Sequence, residues 1–453
     1  MQFNIPQEVK DILDKFEKDN FEIYIVGGAI RDLLMGKNPD DWDFTTNATP
    51  EEILKILGEK AYYDNKFGTV GIPSETDLDP FEITTFRTES NYSDNRRPEH
   101  IEWGRTLEED LKRRDFTINS MALRQIKEKP GFEIIDLYDG QNDLDKKIIR
   151  AVGEANERFG EDALRMMRAI RIASQLNFKI EKNTFEAIQA NSTLINKISR
   201  ERIKDELFKI LESNHAYEGF LMLKDSMLLQ EILPEVEKMF GVEQKSPGRH
   251  HIYDVGTHCL MALKFCESTD PVVKFATLIH DIGKPATMKV LATKTITFYN
   301  HEVVGASIAR RIAERLRFSK KETEKLLKLV RWHQFTVNES QTDSAIRRFI
   351  KHVGVENLED IIILRTADRL GSGSKETSWR TEDFKKRLIE VQKQPFSIKD
   401  LKINGLDVMK ELNIKSGPAV GKILEKLFKE VETKKLENTK EALIIKLKEY
   451  DNK

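Results

Sequence analysis

VGGAIRDLLMGKNPDDWDF (Val26–Phe44) sets two adjacent glycines, an arginine and three aspartates inside one short span. Upstream, FEIYIV (21–26) is an apolar, β-branched run that stops at Gly27-Gly28. AIRDLLM then takes up helical spacing until Gly36 closes it, and DWDFTT (41–46) has strand character. The order is strand, glycine turn, helix, strand. Residues two apart in a strand share a face, so Asp41 and Asp43 stand side by side, Trp42 packs on the other face, and Asp40 points away. Two neighbouring carboxylates repel unless a cation sits between them, and Mg²⁺ is a hard ion held by one or two carboxylates plus substrate phosphates. Gly27 and Gly28 let backbone N–H groups approach such phosphates at a helix N-terminus, with Arg31 projecting toward them. A solvated acidic turn would explain the aspartates alone but not this order of elements.

Working outward, ATPEEILKIL starts a helix with Thr49 as N-cap, Pro50 at the first helical position and Glu52 three residues after the cap. FGTVGIP and FEITTFR (81–87) read as further strands, which makes residues 1–150 a small mixed α/β unit. The polar, turn-rich stretch 88–105 lacks periodicity and reads as a long functional loop. From Arg158 to about Leu233 helical spacing dominates. Breaks follow at KSPGRHH (245–251), GSGSKETS (371–378) and QKQPFS (392–397), with helices between. The expected class is an α+β multidomain chain: a head over 1–150, a helical neck and body over 151–245, a third helical domain over 246–375 and a helical tail over 376–453.

Length and composition agree: 453 residues with 39% apolar content is enough for about three folded domains. Lys plus Arg number 74 against 76 Asp plus Glu, so any polyanion site must come from local clustering. Cys259 and Cys266, seven apart in an expected single helix, suit neither a disulfide framework nor a zinc knuckle and point to a reducing compartment. The first twenty residues form an amphipathic helix with no apolar core region, and no run approaches eighteen uncharged apolar residues, so a soluble cytoplasmic protein is expected.

GGAIRD followed by DDWDFTTNATPEE, together with LKRRDFTINSMAL (111–123) and RFGEDALRMMRAIRIASQLNF (158–178), resembles the nucleotidyltransferase superfamily that includes DNA polymerase β, in its bacterial tRNA nucleotidyltransferase and poly(A) polymerase branch. The resemblance implies transfer of CMP and AMP from CTP and ATP to a tRNA 3′ end by a two-metal mechanism. Asp41 and Asp43 would hold Mg²⁺, Glu82 would be a third carboxylate, and Gly28, Arg31 and Arg114 would bind nucleotide. The stretch 88–105 matches the loop of complete CCA-adding and A-adding members, and DNKFGTVGIP lacks the basic strand motif of poly(A) polymerases. The runner-up is an A-adding enzyme or poly(A) polymerase. An alarmone synthetase and hydrolase carries its hydrolase domain first, the opposite order to that read here.

In the neck, Asp162, Arg165, Arg168 and Arg171 recur at three-residue steps and wind a polar stripe around an expected helix, which by itself is a salt-bridge ladder. The resemblance instead makes the Asp162 and Arg165 pair a base reader, with Arg168 and Arg171 assisting. A carboxylate accepts from the exocyclic amine of cytosine or adenine and a guanidinium donates to the adjacent ring acceptor, whereas uracil and guanine present a carbonyl.

Further on, His258, His280-Asp281 in LIHDIGKPAT, His301, His333 and Asp368 are scattered over helices, as in metal sites built inside bundles. They resemble the HD phosphohydrolase ligand set, His258, His280, Asp281 and Asp368, with His301 and His333 extending it to a second metal. Mixed imidazole and carboxylate suits a divalent transition metal such as Mn²⁺, Fe, Ni²⁺ or Zn²⁺. INGLDVMKELNIKSGPAVGKILEKL resembles the tail of the same enzymes, with Gly417-Pro418, Lys415 and Lys422 offered to a tRNA phosphate.

Overall fold

The computed structural model describes residues 3–63, 68–76, 78–90, 100–103, 106–126, 131–244, 252–335, 342–376, 378–392, 398–433 and 435–451. The break at 245–251 and the residues 393–397 of the later one lie outside them. The described chain forms two compact units: residues up to Phe240 with Arg311–Phe318, and Gly241–Arg310 with Ser319 onward.

The first unit opens on a helix, Gln7–Lys18, that buries Val9, Ile12, Leu13 and Phe16 along one face. The head strands are β1 (Ile23–Val26), β2 (Asp43–Thr46), β3 (Tyr62–Tyr63), β4 (Thr69–Ile72), β5 (Phe81–Thr85), β6 (Arg87–Ser90), β7 (His100–Trp103), β8 (Met121–Gln125) and β9 (Phe132–Asp136). Seven of them form a mixed sheet in the order β3-β4-β5-β2-β1-β8-β9. Every residue of β1 is buried, as a central strand requires. β2 runs antiparallel to β1, with Val26 opposite Asp43, and parallel to β5, with Asp43 opposite Glu82. The capping box at the helix Pro50–Leu57 forms as read, Thr49 accepting from the Glu52 N–H and the Glu52 carboxylate from the Thr49 N–H.

Three local expectations change. Strand β2 begins at Asp43, so Asp41 and Trp42 precede it; Trp42 is fully buried through a turn, donating its indole N–H to the Pro39 carbonyl at 3.1 Å. The stretch 88–105 is not irregular throughout: β6 and β7 pair antiparallel as a ribbon, Arg87 opposite Trp103, while 91–99 and 104–105 lie outside the described residues. Cys259 and Cys266 do not share a helix, because Val255–Lys264 ends before Cys266; both thiols are free and buried.

The neck and body pack the helices Ala155–Glu161, Leu164–Leu176, Lys182–Asn191, Arg200–Glu212 and Ala216–Asp225. In the second unit, helices Val255–Lys264, Pro271–Ile279, His301–Arg315, Lys320–Trp332 and Leu358–Gly371 carry the histidine and aspartate motifs, interrupted by a short hairpin at Lys289–Val290 and Ile296–Thr297. The tail helices Gly405–Leu412, Pro418–Glu432 and Lys440–Asp451 close over Val408, Leu427, Leu443 and Leu447. Among the described residues no helix is long and apolar enough to cross a membrane.

Trp42 belongs to one core cluster with Phe16, Ile25, Ile30, Phe44 and Ile53 and fastens the turn that presents Asp41 and Asp43. Trp42→Ala is expected to destabilise the head by about 3–5 kcal/mol, read as an earlier first transition in urea unfolding followed by circular dichroism.

Candidate active site

The site of the head grows from the end of β1. Gly27 has φ +78°, and a β-carbon there would stand 3.2 Å from Asp43 Oδ2 and 3.7 Å from Arg114 Nη1. The turn therefore needs glycine both for its backbone and for the close approach of an acid and a base from two other elements. The parallel register brings Glu82 beside Asp43, and Asp41 adds its charge from the turn before β2. Burial first, then the charge of Asp41, pushes the Asp43 carboxyl up to about 7, against the pull of Arg114 and Arg168. A carboxylate this reluctant to ionise alone is the partner a divalent cation satisfies, and an all-oxygen donor set suits Mg²⁺.

Around these acids runs a chain of polar contacts. Arg31 makes a two-pronged pair with Asp32 at 2.9 and 3.0 Å and donates its third nitrogen to Asn119 Oδ1 at 3.0 Å. Asn119 donates to Asp115 Oδ1 at 3.5 Å, and Arg168 donates to Asp115 Oδ2 at 2.8 Å. Burial works to raise the Asp115 carboxyl, but Arg168, Arg165 and the Phe116 N–H outweigh it and hold the group ionised. Arg114 donates to Asp110 Oδ2 at 3.0 Å, and Arg113 donates to its other oxygen at 2.9 Å.

The neck differs from its expected geometry. Asp162 is not on the helix: it ends Ala155–Glu161 in extended conformation, its Oδ1 accepting from the Leu164 N–H at 2.9 Å before the helix Leu164–Leu176 begins. Its Oδ2 accepts from Arg202 at 2.9 Å, while Arg165 donates to Glu161 at 2.6 Å and to the Arg113 carbonyl at 2.9 Å. Asp162 and Arg165 are thus held by separate partners. Arg171 pairs with the buried Glu206 at 3.3 Å. Reading the sequence missed Asp110, Asp115, Asn119, Arg202 and Glu206. A signal existed for Asp115, an acid directly before the buried Phe116 in the motif that supplied Arg114.

The second unit gathers His258, His280, Asp281, His301, His333 and Asp368. His258 Nε2 lies 3.1 Å from Asp368 Oδ1, and His280 Nε2 3.3 Å from Asp281 Oδ2. The other oxygen of Asp281 faces His301 Nε2 at 3.2 Å and His333 Nε2 at 3.6 Å, so Asp281 lies between two ligand groups. The Nδ1 atoms of His280, His301 and His333 sit 2.7, 2.8 and 2.8 Å from the Thr277, Phe298 and Val330 carbonyls. Donating Nδ1–H to those carbonyls turns each Nε2 toward the centre, the orientation of a metal ligand. Gly283 seats this arrangement: a β-carbon there would be 2.0 Å from the His301 carbonyl oxygen. Lys284, also unforeseen, meets Asp281 at 2.6 Å and Gln244 at 2.8 Å. Among the described residues, triplets of ligand atoms within 4.8 Å of one another occur in this unit alone.

A mixed-sheet head with a glycine turn against acidic strands, followed by a helical neck, is the arrangement of a nucleotidyltransferase. Residues 23–150 match the poly(A) polymerase head domain, 177–240 the probable RNA and SrmB-binding site of polymerase A, and 295–447 a putative tRNA nucleotidyltransferase domain 2. The CCA-adding enzyme of Ligilactobacillus salivarius is 35% identical over 448 residues, covering 97% of this chain and 96% of that one. That of Lactococcus lactis subsp. cremoris is 46% identical over 228 residues, covering 49% and 55%. The solved Bacillus stearothermophilus CCA-adding enzyme in complex with CTP superposes with a TM-score of 0.70 at 26% identity, covering 98% of this chain and 97% of that one. The chain belongs to the family of CCA-adding enzymes.

Asp110 yields a pH prediction. Burial raises its carboxyl, but Arg113 and Arg114 override this and hold it at about 2. A depressed folded pKa contributes stability above the unfolded value near ~3.9, and that contribution fades as pH falls from about 4 through 2. Asp110→Asn is therefore expected to cost on the order of 2 kcal/mol near neutrality, with the gap to wild type closing in urea unfolding between about pH 4 and pH 2.

Proposed function

We propose that this chain adds CMP and AMP from CTP and ATP to the 3′ end of tRNA, completing or repairing CCA without a nucleic-acid template. The observation carrying the reading is the register that sets Asp43 beside Glu82 under the Gly27 turn, in a member of this family. In this reading residues 1–150 are the catalytic head, 151–245 the base-selecting neck and body, 246–375 an HD domain and 376–453 a tail that contacts tRNA. The setting is cytoplasmic, in keeping with two free buried thiols.

Asp41 and Asp43, with Glu82, would hold Mg²⁺, which when bound supplies activation of the RNA 3′-hydroxyl and charge neutralisation at the triphosphate. Gly28 offers its backbone N–H, and Arg31 and Arg114 their guanidinium groups, to phosphate oxygens. Asp162 accepts from the exocyclic amine of cytosine or adenine and Arg165 donates to the neighbouring ring nitrogen. Facing uracil or guanine, Asp162 opposes a carbonyl and both acceptors go unsatisfied, a mismatch capable of roughly 10⁴-fold discrimination. Arg168 and Arg171 keep the reading helix in place through Asp115 and Glu206.

The second unit supports a separate hydrolytic site. His258, His280, Asp281 and Asp368, with His301 and His333, would hold a divalent transition metal, which when bound supplies a water of lowered pKa for attack on a phosphoester. The supporting observation is the shared orientation of the Nε2 atoms described above.

With tRNA transcripts ending before CCA, labelled CTP and ATP are expected to be incorporated. Asp41→Ala and Asp43→Ala should each reduce the rate by 10²–10³-fold or more, and Asp162→Asn should weaken the preference for CTP and ATP over UTP and GTP. ATP incorporation without CTP would replace the reading with A addition. For the second site, metal analysis of the purified protein should find a transition metal that His280→Ala and Asp281→Ala lose while CTP incorporation persists.

A further inference from the structure

Two cavities in the second unit form one groove. The first, about 490 Å³, is lined by Asp281, His301, His333 and Asp368 of the ligand cluster and has Tyr299 at its mouth. The second, about 790 Å³, carries Arg331, Trp332, Trp379 and Arg380 and shares Glu302, Gln334, Arg365 and Arg369 with the first. At about 490 Å³ the first is already the size of a small-molecule pocket, and hydrolysis of a small phosphoester does not call for the second.

Its lining has the composition of a polynucleotide track. Arg365 is matched by Asp368 at 2.8 Å and Arg331 leans on Glu302 at 3.4 Å. Arg369 instead donates to a carbonyl, that of Lys375, at 3.1 and 3.2 Å, which orients the guanidinium without neutralising it. Arg380 lies 5.2 Å from the ring of Trp379, so cation and aromatic face are presented together. Trp332 is already sandwiched between Arg331 at 4.8 Å and a parallel His352 ring at 4.6 Å, and thereby fixes the groove wall. The available aromatic faces are Trp379, 62% exposed, and Tyr299, 75% exposed, which line separate cavities of the groove. One exposed aromatic is ordinary; two in adjoining cavities, with an arginine between them that meets no carboxylate among the described residues, is the alternation of stacking platform and backbone cation by which single strands are held.

We propose that this groove binds single-stranded RNA, with bases stacked on Trp379 and Tyr299 and phosphates on Arg369 and Arg380. That a terminal phosphate ester faces the histidine cluster rests on the hydrolytic reading above; the binding track does not. In such a step water adds to phosphorus and the ester P–O bond breaks. The alcohol oxygen takes a proton, leaving a hydroxyl end and inorganic phosphate.

Full-length protein treated with EDTA would be titrated with an RNA octanucleotide bearing a 3′-phosphate and, separately, with adenosine 3′-phosphate, following tryptophan fluorescence and mapping photocross-links. The octanucleotide is expected to quench fluorescence and cross-link near Trp379. Trp379→Ala and Arg380→Gln should each weaken that binding about tenfold and reduce its salt dependence in the arginine variant by roughly 0.7 in slope. Circular-dichroism spectra and urea-unfolding curves matching wild type would show the variants folded. Octanucleotide binding equal to wild type in both variants, or cross-links confined to the first unit, would overturn the groove. With metal restored, phosphate release from both substrates alike and indifferent to Trp379→Ala would also overturn it while leaving the hydrolytic reading standing. Absence of any release, with cross-links still at Trp379, would remove the hydrolytic reading and support the groove.

Discussion

The pair between Asp115 and Arg168 joins the head motif to the neck helix through a charge-assisted hydrogen bond to a buried carboxylate. Asp115 is almost wholly removed from water, and an unpaired carboxylate there would cost several kcal/mol. Arg168 from the helix Leu164–Leu176 supplies the missing charge, and Asn119 passes the order on to Arg31 beside the glycine turn. Removing Arg168 would strand the Asp115 carboxylate, a loss that typically costs about 3–5 kcal/mol when both partners are buried and less here, because Arg168 is 38% exposed. Arg31 and the helix carrying Arg165 therefore answer to one buried acid.

The two carboxylate clusters solve like-charge repulsion differently. In the head, Asp41 and Glu82 oppose the ionisation of Asp43, while Arg114 and Arg168 favour it. In the proposed reaction substrate oxygens would complete such an arrangement, as suits an ion that arrives with a nucleotide. In the second unit imidazoles surround Asp281 and Asp368, and Lys284 sits on Asp281 directly. Burial raises both carboxyls, yet Lys284 with His280, and His258 with His280, bring them well below the usual range. That site has a nearly closed set of donors from the protein alone.

The head's architecture was legible because its signals are local. The apolar run into Gly27-Gly28, the helical spacing after it and the Thr49 capping box each depend on a few neighbouring residues, and each formed where it was read. Placing Trp42 inside β2 failed because period-two alternation cannot distinguish a strand residue from one buried by a turn, here held by the Pro39 carbonyl. Extending the neck helix through Asp162 failed for a related reason: an aspartate two residues before a helical N–H competes for it and ends the preceding helix. Partners such as Arg202, Glu206 and Asn119 lie dozens of residues from the groups they hold, and no periodicity marks them. The histidines were found by type, but their common orientation appears only when the Thr277, Phe298 and Val330 carbonyls are in place.

Separate anchoring of Asp162 and Arg165 changes what selectivity would mean in this neck. Had the two been paired with each other, a base would have to break a salt bridge before being read, and that cost would fall on every nucleotide equally. Instead Arg202 and the Leu164 N–H fix the carboxylate, while Glu161 and the Arg113 carbonyl fix the guanidinium. In the proposed reaction each group would be pre-oriented at no expense to the other, and the difference between an amine and a carbonyl on the incoming base would be expressed nearly in full. Because Arg113 also grips Asp110 next to Arg114, the guanidinium's anchor lies in the segment that would hold the triphosphate. In the proposed reaction, base choice and phosphate placement would then share one rigid stretch of chain, from Asp110 to Asn119.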